Sequence, residues 1–405
     1  MRRGRWLVPL AFLAFVSLGL PDGILGVAWP SLRRSFDRPV AALGAILLAT
    51  TAGYLVSSFS AGALLARAGV GRLLVGSGLL VAASATIWAA TPLWPPVLAG
   101  AVLAGLGAGA IDAAVNAFAA SHFTARVVTW LHACWGLGAM TGPLLMTAAL
   151  AAGLGWRWGY AALATALVAL SLCFRLTLGL WDTPGPAGAA DAGAPEPAAA
   201  TEPPASSLRE ALASPAVRRN VAVFFVYTGI EASAGQWAYT LLTEARGLAP
   251  AAAGVAASCY WGSIFVGRLA FGALAHHVAP RTLLRAAVAA APLAAAGVAF
   301  SRSAPLGFAG LFALGLVLAP IFPLLISETP GRVGRRHAAH AIGFQISAAT
   351  LGSGVLPALA GLVMSRLGLE ALGPSLLGLS LLLLSLHGPA WPLSGRGAPP
   401  AGRDG

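Results

Sequence analysis

Three acidic residues lie inside long apolar segments of this sequence, and one of them is Asp112 in the stretch GLGAGAIDAAVNAF. Asn116 follows four residues later, so on a helix the carboxyl and the amide share one face. A carboxyl is costly in hydrocarbon and marks a functional site by default. We interpret Asp112 as a group that carries a proton and Asn116 as a group that bonds a ligand hydroxyl. The alternative is a buried pair that fixes a helix interface.

Asp22 is the acid of the first apolar segment, and it follows Pro21 between Gly19 and Gly23. Proline and glycine loosen a helix locally. A carboxyl in such a place can load and release a proton when its surroundings change. The alternative is an acid that is satisfied by a neighbouring polar side chain and serves packing alone.

Glu231 is the third acid, and Gln236 and Trp237 follow it within two helical turns. An amide beside an indole is suited to hold a sugar, through hydrogen bonds and stacking. The alternative for the indole is a place against lipid or at the membrane interface. Gln345, in a later apolar segment, is a weaker candidate of the same kind.

The amino-acid composition indicates the class of protein in which these side chains are held. The chain has 405 residues, of which 58% are hydrophobic and 9% charged, and its mean hydropathy is +0.80. Soluble domains have about 45–50% apolar and about 25% charged residues, so this is an integral membrane protein. The 25 basic residues are all arginine and give a net charge of +12. They are scattered at the ends of apolar segments, which favours membrane anchoring over nucleic-acid binding. The three cysteines have no metal or disulfide spacing, so no cofactor is expected.

Twelve segments are long enough to cross a membrane as helices, each needing about 20 apolar residues. We predict an all-α membrane protein of two six-helix bundles, over residues 1–181 and 216–393. The proline-rich stretch between them predicts a disordered cytoplasmic linker over residues 182–215, and residues 394–405 are expected to form a disordered tail. The twelve segments are residues 6–29, 41–66, 72–91, 95–119, 128–151, 157–180, 216–243, 251–273, 282–301, 304–327, 338–364 and 368–390.

The distribution of arginines between the two sides of the membrane predicts how the protein is oriented. With both termini cytoplasmic, 18 of the 25 arginines lie inside and 7 outside, as the positive-inside rule requires. We predict a multi-pass protein of the inner (cytoplasmic) membrane that acts as a monomer in the lipid bilayer. On the inner side, Arg67, Arg72 and Arg268 are predicted to cap helix ends and to bridge the halves, as gating residues. The outer cluster Arg33, Arg34 and Arg38 runs against the trend, and the sequence offers no firm reason for it.

Several motifs carry a resemblance to a known family, and they span nearly the whole chain. They are GLPDGILGVAWP, GLGAGAIDAAVNAF, LHACWGLGAMTGPLL, YTGIEASAGQWAYTLL, GRLAFG and LVLAPIFPLL. Together with twelve segments and a central linker they resemble the major facilitator superfamily, and in particular its fucose permease-like branch of proton–sugar symporters. Two pairs of short segments are similar between the halves, and this agrees with an internal repeat. One pair is GALLARAGVGRLL and GALAHHVAPRTLL.

The resemblance implies a secondary active transporter that works by alternating access and takes up a small polar solute, such as a sugar, together with a proton. It implies proton coupling by Asp22 and Asp112. Substrate contacts are then expected at Asn116, Glu231, Gln236, Trp237 and Gln345. The loop after the second segment departs from the family, because Ala66 stands before Arg67 where an acid is usual.

Other functions remain as alternatives. Three acids in an apolar cavity also suit proton-driven efflux of lipophilic or cationic compounds. A more distant alternative is a membrane sensor that does not transport. An enzyme is not expected, because no nucleophile with a base is apparent at membrane depth. There is no nucleotide-binding loop either, so nothing in the sequence suggests an ATP-driven pump.

Overall fold

The computed structural model describes residues 6–181, 206–274 and 277–388, and within these ranges the chain is helical and has no strand. We number the helices in chain order. They are α1 Leu7–Ser35, α2 Leu43–Ala90, α3 Trp94–His122, α4 Ala125–Ala151, α5 Trp156–Leu176, α6 Leu178–Trp181, α7 Leu208–Ala213, α8 Pro215–Thr240, α9 Pro250–Leu274, α10 Pro280–Phe300, α11 Ala304–Leu318, α12 Ile321–Val333, α13 Arg335–Leu367 and α14 Leu372–His387.

The twelve predicted segments fall on these helices with three differences. The sixth segment, 157–180, is divided between α5 and α6 at Thr177, and the other two differences concern α2 and the tenth segment. Helix α2 runs through the second and third segments and turns sharply at Gly69, whose φ of 74° and ψ of 164° are not helical. Only glycine adopts such a backbone readily. The tenth segment is divided into α11 and α12 beside Pro320, which has no amide hydrogen to continue the helix. Nine helical stretches of the described chain are long and apolar enough to cross a membrane, and one of them, Val40–Ala90, has the length of two crossings.

The helices form two halves. Helices α1–α6 form the N-half and α8–α14 form the C-half, and the halves meet where α1 contacts α8, α2 contacts α13 and α4 contacts α9. We call the side of the bundle that carries residues 6, 181, 206 and 388 the linker face. The opposite side, with the turns at residues 36–42, 91–93, 241–249 and 368–371, is the far face. In the predicted orientation the linker face is cytoplasmic.

Glycines let helices of the N-half approach closely. A Cβ at Gly105 of α3 would lie 1.9 Å from the backbone oxygen of Thr50, and one at Gly23 of α1 would lie 2.1 Å from that of Ala139. Small residues permit this in membrane bundles, where packing rather than hydrophobicity holds helices together. The close crossings fix the depth at which Asp22 and Asp112 meet their neighbours.

The carboxyl-terminal end of the predicted linker is ordered, which corrects the prediction of disorder over 182–215. Ser207 and Glu210 form a capping box at the start of α7, and each side chain bonds the backbone amide of the other. Glu210 also pairs with Arg336 of the C-half at 2.8 Å. Local caps and this ion pair hold a segment that composition alone assigns to the linker. Residues 182–205 and the predicted tail 394–405 lie outside the described residues.

Candidate functional site

Asp112 is held inside the N-half by neutral donors. The Tyr54 hydroxyl donates to its Oδ2 at 2.6 Å, from α2. The Asn116 amide donates to its Oδ1 at 2.9 Å and also to its backbone oxygen at 2.9 Å. The shared helical face that the spacing predicts is therefore present. The amide nitrogen of Asn116 is engaged by the acid itself.

Asp22 lies at mid-depth on α1, about 20 Å from each end of the helix at 1.5 Å per residue. Its carboxyl accepts a hydrogen bond from the Trp135 indole at 3.3 Å. Its backbone oxygen accepts one from the Gln236 amide at 2.9 Å, across the boundary between the halves. The side chain is solvent-accessible even at this depth. The structure thus places Asp22 in a cleft between the halves.

Glu231 is the acid of the C-half, and it is buried. It accepts a hydrogen bond from the hydroxyl of Tyr227, one helical turn earlier on α8. Arg268 of α9 lies 3.8 Å from its Oε1, so this acid has a cationic partner. The Tyr260 hydroxyl donates to the backbone oxygen of Glu231 at 2.7 Å.

Arg268 of the C-half also contacts the N-half. Its guanidinium lies 5.4 Å from the ring centre of Trp135 and donates to the backbone oxygen of His132 at 3.5 Å, both on α4. Since Trp135 also bonds Asp22, a continuous set of contacts runs from the acid of α1 to Glu231. Trp135 has no local signal in the sequence for this role, because both of its partners lie on other helices.

Two predicted substrate contacts, Trp237 and Gln345, are fully buried in this structure. Trp237 is fully buried, and its indole donates to the backbone oxygen of Pro357 at 2.9 Å. Gln345 is also fully buried and exchanges hydrogen bonds with Thr329 at 2.9 and 3.1 Å. Both side chains have hydrogen-bond partners within the C-half in this structure.

Arg67 and Arg72 are exposed on the linker face and form no ion pair with any described residue. The predicted bridge between the halves is therefore absent at these two positions in this structure. The departure at Ala66 gives a physical reason, because the loop lacks the acid that would bind a neighbouring arginine.

The far-face arginines have a structural explanation. Arg33 pairs with Glu244 of the C-half at 2.7 Å, and Arg34 lies 3.6 Å from the same carboxylate. Arg38 instead stacks over the Trp94 ring at 5.4 Å. The first two arginines therefore tie the end of α1 to the turn after α8.

The close approaches between the halves lie toward the far face. A Cβ at Gly44 of α2 would lie 2.9 Å from Ala358 of α13, and one at Gly354 would lie 2.1 Å from the hydroxyl of Thr51. In the described chain, the ion pairs that join the two halves are those of Arg33 and Arg34 with Glu244 at the far face. Deeper in the bundle, Arg268 of the C-half lies over the Trp135 ring of α4. The halves are thus held in close contact at the far face, which is sealed in this structure.

A two-half helical membrane bundle with ionisable groups on both sides of a central cleft defines a transporter class of protein. The chain belongs to the Major Facilitator Superfamily, whose family profile matches residues 11–357. It is therefore a multi-pass membrane transporter and not an enzyme.

Solved structures with the same fold are transporters of diverse solutes. The nucleoside transporter NupG is similar with a TM-score of 0.70 and 12% identity, over 94% of this chain and 99% of that one. The human organic anion transporter MFSD10 has a TM-score of 0.63 and 19% identity, over 95% and 100%. A bacterial homologue of the human lysosomal transporter Spinster, in an inward-facing and occupied conformation, has a TM-score of 0.68 and 13% identity, over 94% and 93%. No match was found among curated protein sequences.

Proposed function

We propose that this transporter works by alternating access and couples the uptake of a small polar solute, such as a sugar, to the entry of a proton. The supporting observation is that Asp22 and Asp112 both have neutral hydrogen-bond partners. An acid without a cation beside it can change between its neutral and charged forms as its exposure changes. That change is what a proton carrier requires.

The roles follow from the contacts. Asp22 and Asp112 carry the proton, and Asn116, Gln236 and Glu231 are the groups that remain for the solute. The linker face is cytoplasmic in this proposal, so the sealed far face corresponds to a state open to the cell interior. The protein acts as a monomer in the inner membrane.

Transport by the purified protein in proteoliposomes tests the proposal. The panel contains sugars, nucleosides and organic anions, the last two because similar structures carry them, and it is measured with and without an imposed proton gradient. Faster accumulation of a neutral polar solute with an inward gradient supports proton symport. Uptake that is the same with and without the gradient overturns proton coupling.

Proton-driven efflux of a lipophilic or cationic compound is the second candidate, and one observation favours it. Trp135 and Trp261 pack edge to face at 5.6 Å beside the acids, and aromatic faces with carboxylates suit a cation. Adding cationic dyes to the same panel distinguishes the two. Dye extrusion against the proton gradient selects efflux, whereas binding without flux would select a sensor.

A further inference from the structure

A small chamber runs from Asp22 into the N-half. Its volume is about 60 Å³, enough for a few water molecules, each of which needs about 10–15 Å³ of such space. Most of its wall is apolar. The polar groups on its wall are Asp22, Thr50, Ser84, Tyr160 and Gln236.

Gln236 connects this chamber to the contact between the halves. Its Nε2 donates to the backbone oxygen of Asp22, which fixes the orientation of the amide because a carbonyl oxygen can only accept. Its Oε1 therefore points the other way, is buried, and has no hydrogen-bond partner among the described residues. The side chain is only 5% exposed, and buried polar atoms are normally bonded.

The backbones approach closely at the same place. A Cβ at Gly26, one turn beyond Asp22, would lie 2.8 Å from the backbone oxygen of Gln236 and 3.1 Å from that of Gly235. Helices α1 and α8 thus cross at Gln236. A change in how this side chain is held acts directly on this crossing between the halves.

The chemistry of the chamber depends on the proton at Asp22. An ionised carboxylate and an amide oxygen are both acceptors, so they cannot bond each other. A protonated carboxyl has an O–H that can donate to Oε1 of Gln236, directly or through one water. When Asp22 is ionised, its carboxylate accepts from the Trp135 indole and has no hydrogen to donate to Oε1.

We propose that Gln236 is a positioning residue that makes the contact between the halves depend on whether Asp22 carries a proton. Protonated Asp22 favours the closed far face, and ionised Asp22 weakens it. The inference rests on the proposed proton coupling and deepens it, because it assigns the step by which loading a proton changes the conformation.

Other groups that titrate or carry charge lie around Asp22, and the experiment has to separate them. Those on the packed helices are Tyr54 of α2, with Asp112 of α3 behind it, His132 of α4, Tyr160 of α5, Glu231 of α8 and Arg268 of α9.

The experiment measures closure of the far face, with the proton as the only ligand. Spin labels are placed at Pro39→Cys and Ala249→Cys, which are exposed in different halves on the far face. The native cysteines are replaced, and the protein is reconstituted in nanodiscs. The distribution of distances between the two spin labels is recorded by double electron–electron resonance in acidic and in mildly alkaline buffer. We expect the closed-to-open ratio to be about tenfold higher in acid, the effect of one hydrogen bond of about 1.4 kcal/mol.

Four variants separate the contribution of Gln236 to the pH response from the contributions of the other titratable groups. Gln236→Leu and the more isosteric Gln236→Met are expected to abolish the pH response, and either one suffices if the other fails to fold. Asp22→Asn supplies an amide donor permanently, so its far face is expected to stay closed at both pH values. Gln345→Leu is the matched control: it removes a buried glutamine of the C-half whose hydrogen bonds are with Thr329 of the same half, and it should respond like the wild type.

A pH response that survives in both Gln236 variants overturns the inference and leaves proton coupling through Asp22 intact. A wild-type distribution that does not change with pH overturns it as well, while gradient-driven uptake tests the proposed function independently. If Asp22→Asn responds to pH like the wild type, the role of Asp22 in the proposed function is also wrong.

Discussion

The acids of the two halves have similar first partners and different second ones. Asp112 accepts a hydrogen bond from Tyr54, and Glu231 accepts one from Tyr227. Beyond the tyrosine, the further partner of Asp112 among the described residues is the amide of Asn116, whereas Glu231 has the guanidinium of Arg268 at 3.8 Å. One half therefore surrounds its acid with dipoles, and the other supplies a full opposite charge.

The difference indicates that the acids of the two halves have different roles. A cation beside a buried carboxylate favours its charged form, and dipoles alone do so less strongly. We infer that Glu231 and Arg268 act as a fixed pair and that the proton-carrying acids belong to the N-half. Trp135 then links the two regions, because it contacts both Asp22 and Arg268.

The largest expected effect comes from removing the acids of the N-half. Asp22→Asn and Asp112→Asn should each abolish gradient-driven accumulation of the solute that the panel identifies, while solute exchange across the membrane is retained, because a neutral amide cannot release a proton. Glu231→Gln should slow transport but keep its dependence on the gradient. Accumulation in proteoliposomes measures all three. Normal accumulation by both aspartate variants would show that the proton is carried elsewhere.

The next effect concerns the charged pair of the C-half. Arg268→Met leaves the Glu231 carboxylate buried without its cation, and breaking one partner of a buried pair costs about 3 kcal/mol or more. The midpoint of thermal unfolding in nanodiscs should fall accordingly. The double variant with Glu231→Gln removes both charges and should recover most of the loss. If the double variant is as unstable as Arg268→Met, the ion pair does not explain the instability.

Much of the fold follows from the sequence because each span carries its own signal. Apolar segments of sufficient length predict the helices, and the i to i+4 spacing predicts that Asn116 shares a face with Asp112. The same spacing places Tyr227 on the face of Glu231, which the structure shows as a hydrogen bond. The position of each local pair could therefore be predicted.

The contacts between helices could not be predicted in this way. Nothing near Trp237 in sequence indicates that Pro357, 120 residues later, supplies its acceptor. Likewise, Arg33 meets Glu244 only when the two halves close on the far face. A single sequence does not reveal which side of a helix faces lipid, a neighbour or the cleft, and that choice decided which predicted side chains reach the cleft.

The smallest expected effect compares the two tyrosines directly. Tyr54→Phe and Tyr227→Phe each remove one hydroxyl that donates to an acid, a loss of about 1 kcal/mol. After Tyr54→Phe, Asp112 is left with Asn116, and gradient-driven uptake should slow about fivefold. After Tyr227→Phe, Arg268 still holds Glu231 in its charged form, so uptake should change less. Initial rates at matched protein levels give the comparison. Equal losses in the two variants would mean that the arginine does not distinguish the halves, and the assignment of proton transfer to the N-half would lose its support.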